Sequence, residues 1–369
     1  METNVIHCMD NVEGDIVKIG LIDADLLDRG TRFPNLALMK LSSYYQNKGY
    51  KTKLIDYNQI PAYDHVLLSK VFDFTDIPIN LNFYKNIEYG GTGFDYDKND
   101  FLPDQIEHSK PDYSLYQDFT DRSKYYSNHS IGFTTRFCFR QCQFCVNRDK
   151  KKAVRWSKIE EFDSKENDYI TLLDDNILAH SDREKIIKKL QETGKPFELK
   201  QGIDLRLIND RIAKLLNESK YAGEYTFAFD DIEDKAKILN KLKIWRKYNQ
   251  SRIKFYVLAG YDKENNYGHQ FWVNDIANTF ERIKILMQHR CYPYVMRYKE
   301  YENSPFRGMY INIAGWCNQP HLLKKMSFRE YSLKKNPNGA SQRYMENFEK
   351  QYPAIAKKYF DMKWEKVKT

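Results

Sequence analysis

Three cysteines near the middle of the chain are spaced so that they could share one metal centre. Cys138, Cys142 and Cys145 lie within eight residues, whereas the other three cysteines are scattered. In a reducing compartment, such a cluster is more often metal-binding or catalytic than disulfide-forming. Structural zinc usually takes four ligands, and no second Cys-x-x-Cys pair or nearby histidine completes that set. Three thiolates suit a [4Fe–4S] cluster with one iron left open.

The stretch that carries these cysteines resembles the signature of the radical S-adenosylmethionine (SAM) enzymes. It reads Cys138-Phe-Arg-Gln-Cys142-Gln-Phe-Cys145, and a strand-like run at Ser130–Thr134 precedes it. The resemblance implies an enzyme whose reduced cluster cleaves SAM, so that a 5′-deoxyadenosyl radical takes a hydrogen atom from a substrate. It also implies that Phe144 contacts the cofactor and that a flavodoxin or ferredoxin type protein donates the electron. It does not indicate the substrate.

Other interpretations of the cysteines stay open. They could bind zinc in a module that contacts nucleic acid, or they could be incidental buried thiols. On the radical SAM scaffold, the chain could also be a cobalamin-dependent methyltransferase. Cys8, Cys291 and Cys317 lack any ligand spacing, and we expect them to be structural or idle, although Cys317 could approach the site.

Residues 130–320 have the pattern of repeated βα units. Apolar, β-rich runs start near Tyr169, Phe197, Tyr225 and Ile253, each 28 residues after the last, and a further run starts near Tyr292. With the run before the cysteines, this pattern predicts six strands. Helical patterns separate the later strands, at Ser181–Thr193, Asp210–Glu218, Ile232–Tyr248 and Val273–Gln288. The alternation indicates an α/β fold with a parallel sheet or barrel, and the resemblance implies a partial (βα)6 TIM-type barrel.

Residues 1–110 are predicted to form a small Rossmann-like βαβ domain, joined to the barrel by a linker at 111–129. Its predicted elements are strands at Ile16–Asp23, Thr52–Tyr57 and His65–Phe72 and a helix at Pro34–Asn47. The domain resembles the N-terminal cobalamin-binding domain of B12-associated radical SAM enzymes. The Asp-x-His-x-x-Gly signature that supplies the lower cobalt ligand is absent, since Asp64-His65 has the wrong spacing. We expect a degenerate domain without cobalamin, the alternative being one that holds cobalamin without a histidine.

Candidate site residues follow from where barrel strands end, because the loops there surround the open mouth. Asp174 and Asp175 follow the second strand, Asp204 and Arg206 the third, and Asp230 the fourth. Carboxylates at 174 and 175 could accept from the SAM amine, and Arg206 could pair with its carboxylate. Asp204 or Asp230 could accept from the ribose hydroxyls. Each aspartate could instead cap a following helix.

The net charge of +8 is concentrated at the C-terminal end of the chain. Residues 321–369 carry +7 of it, with aromatic residues interleaved. Such a segment can bind nucleic acid through charge and stacking. We favour a helical extension with a solvated basic face and its aromatic side chains against the core.

Composition also bears on membranes and on the compartment. The mean hydropathy is −0.74 and no apolar run approaches 18 residues, which excludes a hydrophobic membrane-spanning segment. The first residues, Met1-Glu2-Thr3-Asn4, do not resemble a signal peptide. We therefore expect a cytoplasmic protein without a membrane partner.

Overall fold

The computed structural model describes residues 17–30, 33–94, 101–117, 128–335 and 337–364. The chain divides into two compact units, each built from separate segments. The first unit takes the described parts of Met1–Arg136, with Val154–Asp174 and Glu192–Lys200. The second takes Phe137–Ala153, Asp175–Gln191 and the described parts of Gln201–Thr369.

A four-stranded parallel sheet organises the N-terminal part of the first unit. Its strands are β1 (Lys18–Asp23), β2 (Lys51–Leu54), β3 (His65–Ser69) and β4 (Ile87–Gly90), in the order β2-β1-β3-β4. The order reverses beside β1, as in doubly wound α/β sheets. The first three strands lie where the sequence predicts them, and β4 was not predicted.

Among the described residues, four α-helices belong to the first unit, and the longest of them, α2, packs against the four-stranded sheet. The α-helices of the first unit are α1 (Ala24–Arg29), α2 (Leu36–Asn47), α3 (Asp104–Glu107) and α4 (Ile159–Phe162), with short 3-10 turns at Tyr57–Ala62, Leu81–Phe83 and Tyr113–Tyr116. Asn35 caps α2 by accepting from the Leu38 amide over 3.2 Å. Leu38 and Met39 are buried, so α2 is held by its apolar face.

The first unit also contains a second parallel sheet, made of one strand before the cysteines in sequence and two strands after them. Strands β5 (His129–Gly132), β8 (Tyr169–Leu172) and β9 (Phe197–Leu199) form a parallel sheet in chain order. A short antiparallel pair, β6 (Thr135–Arg136) and β7 (Val154–Arg155), flanks residues 137–153. The apolar side chains of β8 and β9 are buried, namely Ile170 and Leu172 in β8 and Phe197 and Leu199 in β9.

The second unit is built on another three-stranded parallel sheet, again in chain order. Its strands are β10 (Tyr225–Ala228), β11 (Ile253–Ala259) and β12 (Tyr292–Arg297). The associated α-helices are α5 (Arg183–Glu192), α6 (Asp210–Asn217), α7 (Lys235–Arg246), α8 (His269–Gln288) and α9 (Arg307–Cys317), with 3-10 turns at Ile177–Ala179, Leu205–Leu207, Ile232–Asp234 and Lys299–Asn303. The four predicted helices correspond to α5 through α8, the first turn of the third being 3-10.

All six predicted barrel strands are present, and the protein is a mixed α/β structure with several parallel sheets. Among the described residues, strand pairing joins β5, β8 and β9 in one sheet and β10, β11 and β12 in another. Backbone pairing between β9 and β10 is not found among the described residues. The single curved sheet of a partial barrel therefore stays a prediction.

The C-terminal extension is helical and most of its aromatic side chains face the interior. It contains α10 (Pro320–Lys325), α11 (Phe328–Lys335), α12 (Ala340–Gln351) and α13 (Pro353–Tyr359). Six of its aromatic residues are buried, namely Phe328, Tyr331, Phe348, Tyr359, Phe360 and Trp364. Buried rings cannot stack on bases, so this packing agrees with the helical extension rather than with a nucleic-acid platform.

The scattered cysteines that the structure describes are buried and form no disulfide. Cys291, just before β12, and Cys317, at the end of α9, are both almost fully enclosed. Burial raises the pKa of the Cys291 thiol to about 11 and that of Cys317 well above its usual value. Both fit the structural interpretation, and Cys8 lies outside the described residues.

No helix in the described ranges is both long enough and apolar enough to cross a membrane.

Candidate functional site

The three clustered cysteines lie in one loop of the second unit, residues 137–153, which we name the Cys loop. All three thiols are free and partly exposed. The loop is tightened by hydrogen bonds from the Cys145 amide to the Cys142 carbonyl (2.8 Å) and from the Arg148 amide to the Cys145 carbonyl (3.1 Å). These turns gather the thiols in a compact segment.

The loop begins with an unusual backbone conformation at Phe137. Its φ is +70°, a region that bulky side chains rarely adopt and that costs on the order of 1–3 kcal/mol. The Phe137 amide donates to Asp175 Oδ2 over 2.7 Å, which helps to hold this conformation. Asp175, one of the predicted site residues, therefore anchors the loop directly before its first cysteine.

Two amides donate hydrogen bonds to cysteine sulfurs. The side-chain Nδ2 of Asn176 lies 3.3 Å from Cys138 Sγ, and the backbone N of Asn147 lies 3.4 Å from Cys145 Sγ. Both asparagines are only 7 % exposed. Donors of this kind stabilise negative charge on sulfur and tune iron–sulfur centres.

Asn176 has a second feature that points to a ligand. Its Oδ1 is buried and has no hydrogen-bond partner among the described residues. A buried acceptor left unpaired costs about 1–3 kcal/mol, so a bound molecule that supplied a donor there would recover this energy. Sequence reasoning missed Asn176, although its position directly after Asp175 is a usable signal.

Burial and neighbouring groups shift the pKa values of two of the thiols in opposite directions. Burial raises the pKa of Cys142, and the positive charge of Arg206 opposes this while Asp230 adds to it. Burial also raises the pKa of Cys145, against the hydrogen bond from Asn147. Arg206 and Asp230, both predicted for the site, are thus close enough to Cys142 to influence its charge.

The donor atoms of the Cys loop distinguish a cluster from a single metal ion. Among the described residues, no group of three His, Cys, Asp or Glu side chains could hold a single ion. In a [4Fe–4S] cluster each thiolate binds a different iron, so the sulfurs need not converge on one point. Three free, partly exposed thiols in one loop, two of them receiving N–H groups, therefore fit a cluster better than one zinc ion.

Asp204 is the centre of an ion-pair network beside the Cys loop. Its carboxylate lies 2.7 Å from Arg140 Nε and 2.8 Å from Arg206 Nε, and Arg206 Nη1 lies 2.8 Å from Asp234. Burial favours a higher Asp204 pKa, but the two guanidinium groups outweigh it and leave the pKa lowered. Sequence reasoning did not predict this role for Arg140.

A turn at a glycine two residues earlier allows the backbone to place Asp204 in this network. Gly202 has a φ of +90°, and a Cβ there would lie 3.0 Å from the Thr226 carbonyl oxygen. The turn continues as the Ile203 amide donates to that same carbonyl, and Asp204 then caps the 3-10 turn by accepting from the Arg206 amide. Asp204 is thus a cap, one of the two roles that the sequence left open, and its role toward a cofactor stays a prediction.

Asp174 is removed from the set of ligand-binding candidates by its contacts in the first unit. It is 2 % exposed, and its two oxygens accept from the amide and hydroxyl groups of Thr134 and Thr135 over 2.6–2.9 Å. Burial raises its pKa, and these four bonds act in the opposite direction. With both oxygens engaged, Asp174 holds the segment after β5.

Asp230 lies at the carboxyl end of β10, as expected. It accepts from the Leu258 amide over 3.2 Å, and the buried Arg282 donates to its carbonyl oxygen. Burial raises the Asp230 pKa despite the nearby charge of Arg282. Asp231 accepts from the Glu233 amide and is a helix cap, as predicted.

Phe144 begins a short aromatic chain across the second unit. Its ring centroid lies 5.3 Å from that of Tyr261, whose own centroid lies 4.9 Å from that of Tyr298, and both pairs are edge-to-face. Tyr298 directly follows β12. Ring contacts therefore connect Phe144, the aromatic residue before the last cysteine, to the carboxyl end of β12.

A cobalamin in the N-terminal domain would lie at the carboxyl edge of the four-stranded sheet, where ligands of doubly wound folds bind. Asp23 accepts from the Leu26 amide and from the Tyr116 hydroxyl, and Asp25 accepts from the Val71 amide. These carboxylates are occupied within the unit. His65 opens β3, at the opposite end of the strand, so it is not placed as a ligand at this edge.

In comparisons with known proteins, no family model and no curated protein matches the chain.

Proposed function

We propose that the protein is a radical SAM enzyme in which Cys138, Cys142 and Cys145 hold a [4Fe–4S] cluster. The observation that carries this proposal is the Cys loop itself, with three free thiols in one compact segment and N–H donors on two of the sulfurs. Three protein ligands leave one iron open for the amine and carboxylate of SAM. When bound, the cluster supplies the electron that cleaves SAM.

The chain's own residues would bind and orient the cofactor. Asn176 Oδ1 is the buried acceptor suited to the SAM amine. Arg206 uses Nε and Nη1 on Asp204 and Asp234, which leaves Nη2 to meet the SAM carboxylate. Asp230, beside Cys142, would accept from the ribose hydroxyls. Phe144 and its aromatic neighbours would exclude water from the cluster.

We further propose that the two three-stranded sheets belong to the predicted partial (βα)6 barrel. Both sheets are parallel and each follows chain order, which agrees with successive βα units. For the N-terminal domain we keep the degenerate, cobalamin-free interpretation, because the acidic residues at the carboxyl edge are internally paired. We also propose that the protein acts in the cytoplasm and receives its electron from a flavodoxin or ferredoxin type protein.

The test is anaerobic reconstitution of the full chain with iron and sulfide. We expect four iron and four sulfide per chain, by the cluster type proposed, and 5′-deoxyadenosine after addition of dithionite and SAM. The triple variant Cys138→Ala, Cys142→Ala, Cys145→Ala should bind no cluster, and the control Cys291→Ala should retain it. One zinc per chain without iron or sulfide, after anaerobic purification, would instead support the zinc module.

A further inference from the structure

The Cys loop carries a concentration of positive charge. It contains five basic residues and one acidic residue, so its net charge is +4, and these residues are Arg140, Arg148, Lys150, Lys151, Lys152 and Asp149. Residues 1–320 as a whole carry only +1, which means that those outside the loop sum to −3. The segment that holds the proposed cluster ligands is therefore a basic region within a slightly acidic part of the chain.

The last basic residues of the loop, Lys150–Lys152, are not neutralised by carboxylates, and we name them the lysine run. Lys151 and Lys152 are exposed, and among the described residues no carboxylate lies within ion-pair distance of any of the three ammonium groups. Asp149 lies 3.9 Å from Arg148 Nε, and its side chain is 83 % exposed. Like charges side by side repel one another, so a partner that brings carboxylates to the lysine run would be attracted to it.

Successive turns keep the lysine run close to the cysteines. The turns at Cys142–Cys145 and Cys145–Arg148 are followed by a third, in which the Lys150 amide donates to the Asn147 carbonyl over 3.0 Å. Each such turn holds its two ends within about 7 Å of one another. The charges of the lysine run therefore belong to the immediate surroundings of the proposed cluster.

Two aromatic rings at the start of the loop have cations beside them, which favours one kind of anionic partner. The Arg140 guanidinium lies 5.0 Å from the Phe139 ring centroid, and Lys150 Nζ lies 4.9 Å from that of Phe137. Single-stranded nucleic acid stacks its bases on open aromatic faces, and here a cation occupies one face of each ring. Phe139 is still 40 % exposed, and an apolar ring rimmed by charges is typical of a protein interface. The loop therefore favours an acidic protein over RNA.

The proposed chemistry indicates which acidic protein this is. A cluster on Cys138, Cys142 and Cys145 has to receive electrons from outside, and electron transfer between proteins becomes steeply slower with distance. The donor protein must therefore contact the surface beside the cysteines, where the basic loop lies. Electron-transfer encounters bury little area and are weak, so charge complementarity contributes much of their recognition.

We propose that the Cys loop is the docking surface for an acidic electron-donor protein, whose carboxylates contact the lysine run and whose apolar surface packs on Phe139. The step is the transfer of one electron. The donor is oxidised by one electron, the cluster is reduced by one, and no bond or proton changes place. The electron-transfer role of the partner rests on the proposed function, whereas binding of an acidic protein to the loop does not require a loaded cluster.

The first test is equilibrium binding of fluorescein-labelled flavodoxin, an acidic electron-donor protein, to the full-length chain with and without a reconstituted cluster. The triple variant Lys150→Glu, Lys151→Glu, Lys152→Glu should weaken binding by about tenfold or more, because several exposed charge pairs change from attraction to repulsion. The wild-type affinity should fall as the salt concentration rises, and that of the variant should change much less.

The matched control is Lys185→Glu, Lys188→Glu, Lys189→Glu, which makes the same change of charge at three exposed lysines of α5. This variant should bind flavodoxin nearly as tightly as the wild type does. Because the lysine run contacts no described carboxylate, its charge reversal should change the thermal unfolding temperature little. Weaker binding by the loop variant is then a loss of docking rather than of folding.

The second test compares two reductants on the reconstituted protein. Dithionite needs no protein interface, so the ratio of flavodoxin-driven to dithionite-driven formation of 5′-deoxyadenosine should fall about tenfold or more in the loop variant. The α5 variant should keep the wild-type ratio. If the wild type forms no 5′-deoxyadenosine with dithionite while flavodoxin binding still depends on the lysine run, the proposed function fails and the docking surface stands.

Three outcomes would overturn the proposal. Flavodoxin does not bind the wild type, or it binds the loop variant and the α5 variant equally. The third outcome is that a fluorescein-labelled 12-nucleotide single-stranded RNA binds through the lysine run and flavodoxin does not, which would make the loop a nucleic-acid surface.

Discussion

The side-chain amide of Asn176 donates to the sulfur of Cys138 over 3.3 Å, across 38 residues of sequence. A hydrogen bond to sulfur reduces its negative charge and so makes an attached iron–sulfur cluster easier to reduce. The structure therefore links the loop after β8 to the redox properties of the proposed cluster.

We expect Asn176→Leu to lower the midpoint potential of the reconstituted cluster. Removal of the N–H donor leaves more charge on the Cys138 sulfur, which disfavours the reduced state. A shift of tens of millivolts is expected, since about 59 mV corresponds to a tenfold change for one electron. A redox titration followed by electron paramagnetic resonance measures it.

Asn147→Ala is the matched control for this experiment. Asn147 is as buried as Asn176, but it donates to Cys145 through its backbone amide, which the substitution retains. Its cluster potential should stay near that of the wild type. Equal potentials in Asn176→Leu and the wild type would show that the contact does not tune the cluster.

Asp174→Ala should strongly destabilise the protein. The variant leaves the amides and hydroxyls of Thr134 and Thr135 without their acceptor in a buried position. Since an unsatisfied buried group costs about 1–3 kcal/mol, we expect a loss of at least about 3 kcal/mol. Urea unfolding measures this, and Asp231→Ala, which removes one cap and an ion pair with the exposed Lys263, should cost only about 1–2 kcal/mol.

Asp204→Asn should reduce stability in a pH-dependent manner. Because the folded-state pKa of Asp204 lies below its unfolded value of 3.8, its stabilisation is complete above about pH 4 and is lost as the pH falls through the lower folded-state pKa. The variant should therefore lose about 2 kcal/mol at pH 7, the contribution of a charged hydrogen bond, and progressively less below pH 4.

Urea midpoints across pH 3–7 test this difference. Asp234→Asn removes only the outer partner of Arg206 and should show a smaller loss at pH 7. A constant difference between Asp204→Asn and the wild type at all of these pH values would contradict the role assigned to the carboxylate.

Phe360→Ala should destabilise the second unit, because the C-terminal extension is packed rather than free. The Phe360 ring is fully buried and its centroid lies 5.0 Å from that of Phe328 and 5.5 Å from that of Phe280. Truncation of such a ring typically costs about 3–5 kcal/mol. Tyr344→Ala, at a position 45 % exposed, should cost much less by thermal unfolding, and similar losses for both would argue against a packed extension.

The strands and the cysteine cluster could be predicted because their signals are local. Each of β8, β10 and β11 is a contiguous run of β-forming residues, and the spacing of Cys138, Cys142 and Cys145 lies within one loop. Short structures with weak patterns were missed, such as β4 and the pair β6 and β7. Two-residue strands form only because their partner is brought near by the rest of the fold.

Side-chain roles depended on tertiary structure. Asp174, Asp175 and Asn176 are adjacent, yet they bind the Thr134 segment, the Phe137 amide and the Cys138 sulfur respectively. Sequence alone placed carboxylates in this loop, but it could not tell which of them would be buried and occupied and which would meet a ligand.

By itself, then, the sequence determined the α/β class, the approximate positions of most strands and the chemistry available at the cysteines, because periodicity and close spacing are properties of neighbouring residues. Only the tertiary structure decided that Asp204 pairs with Arg140, 64 residues away, and which face of the second sheet stays open. Ion pairs and exposed faces depend on which residues, far apart in sequence, pack together and exclude water. Such packing is a property of the folded chain.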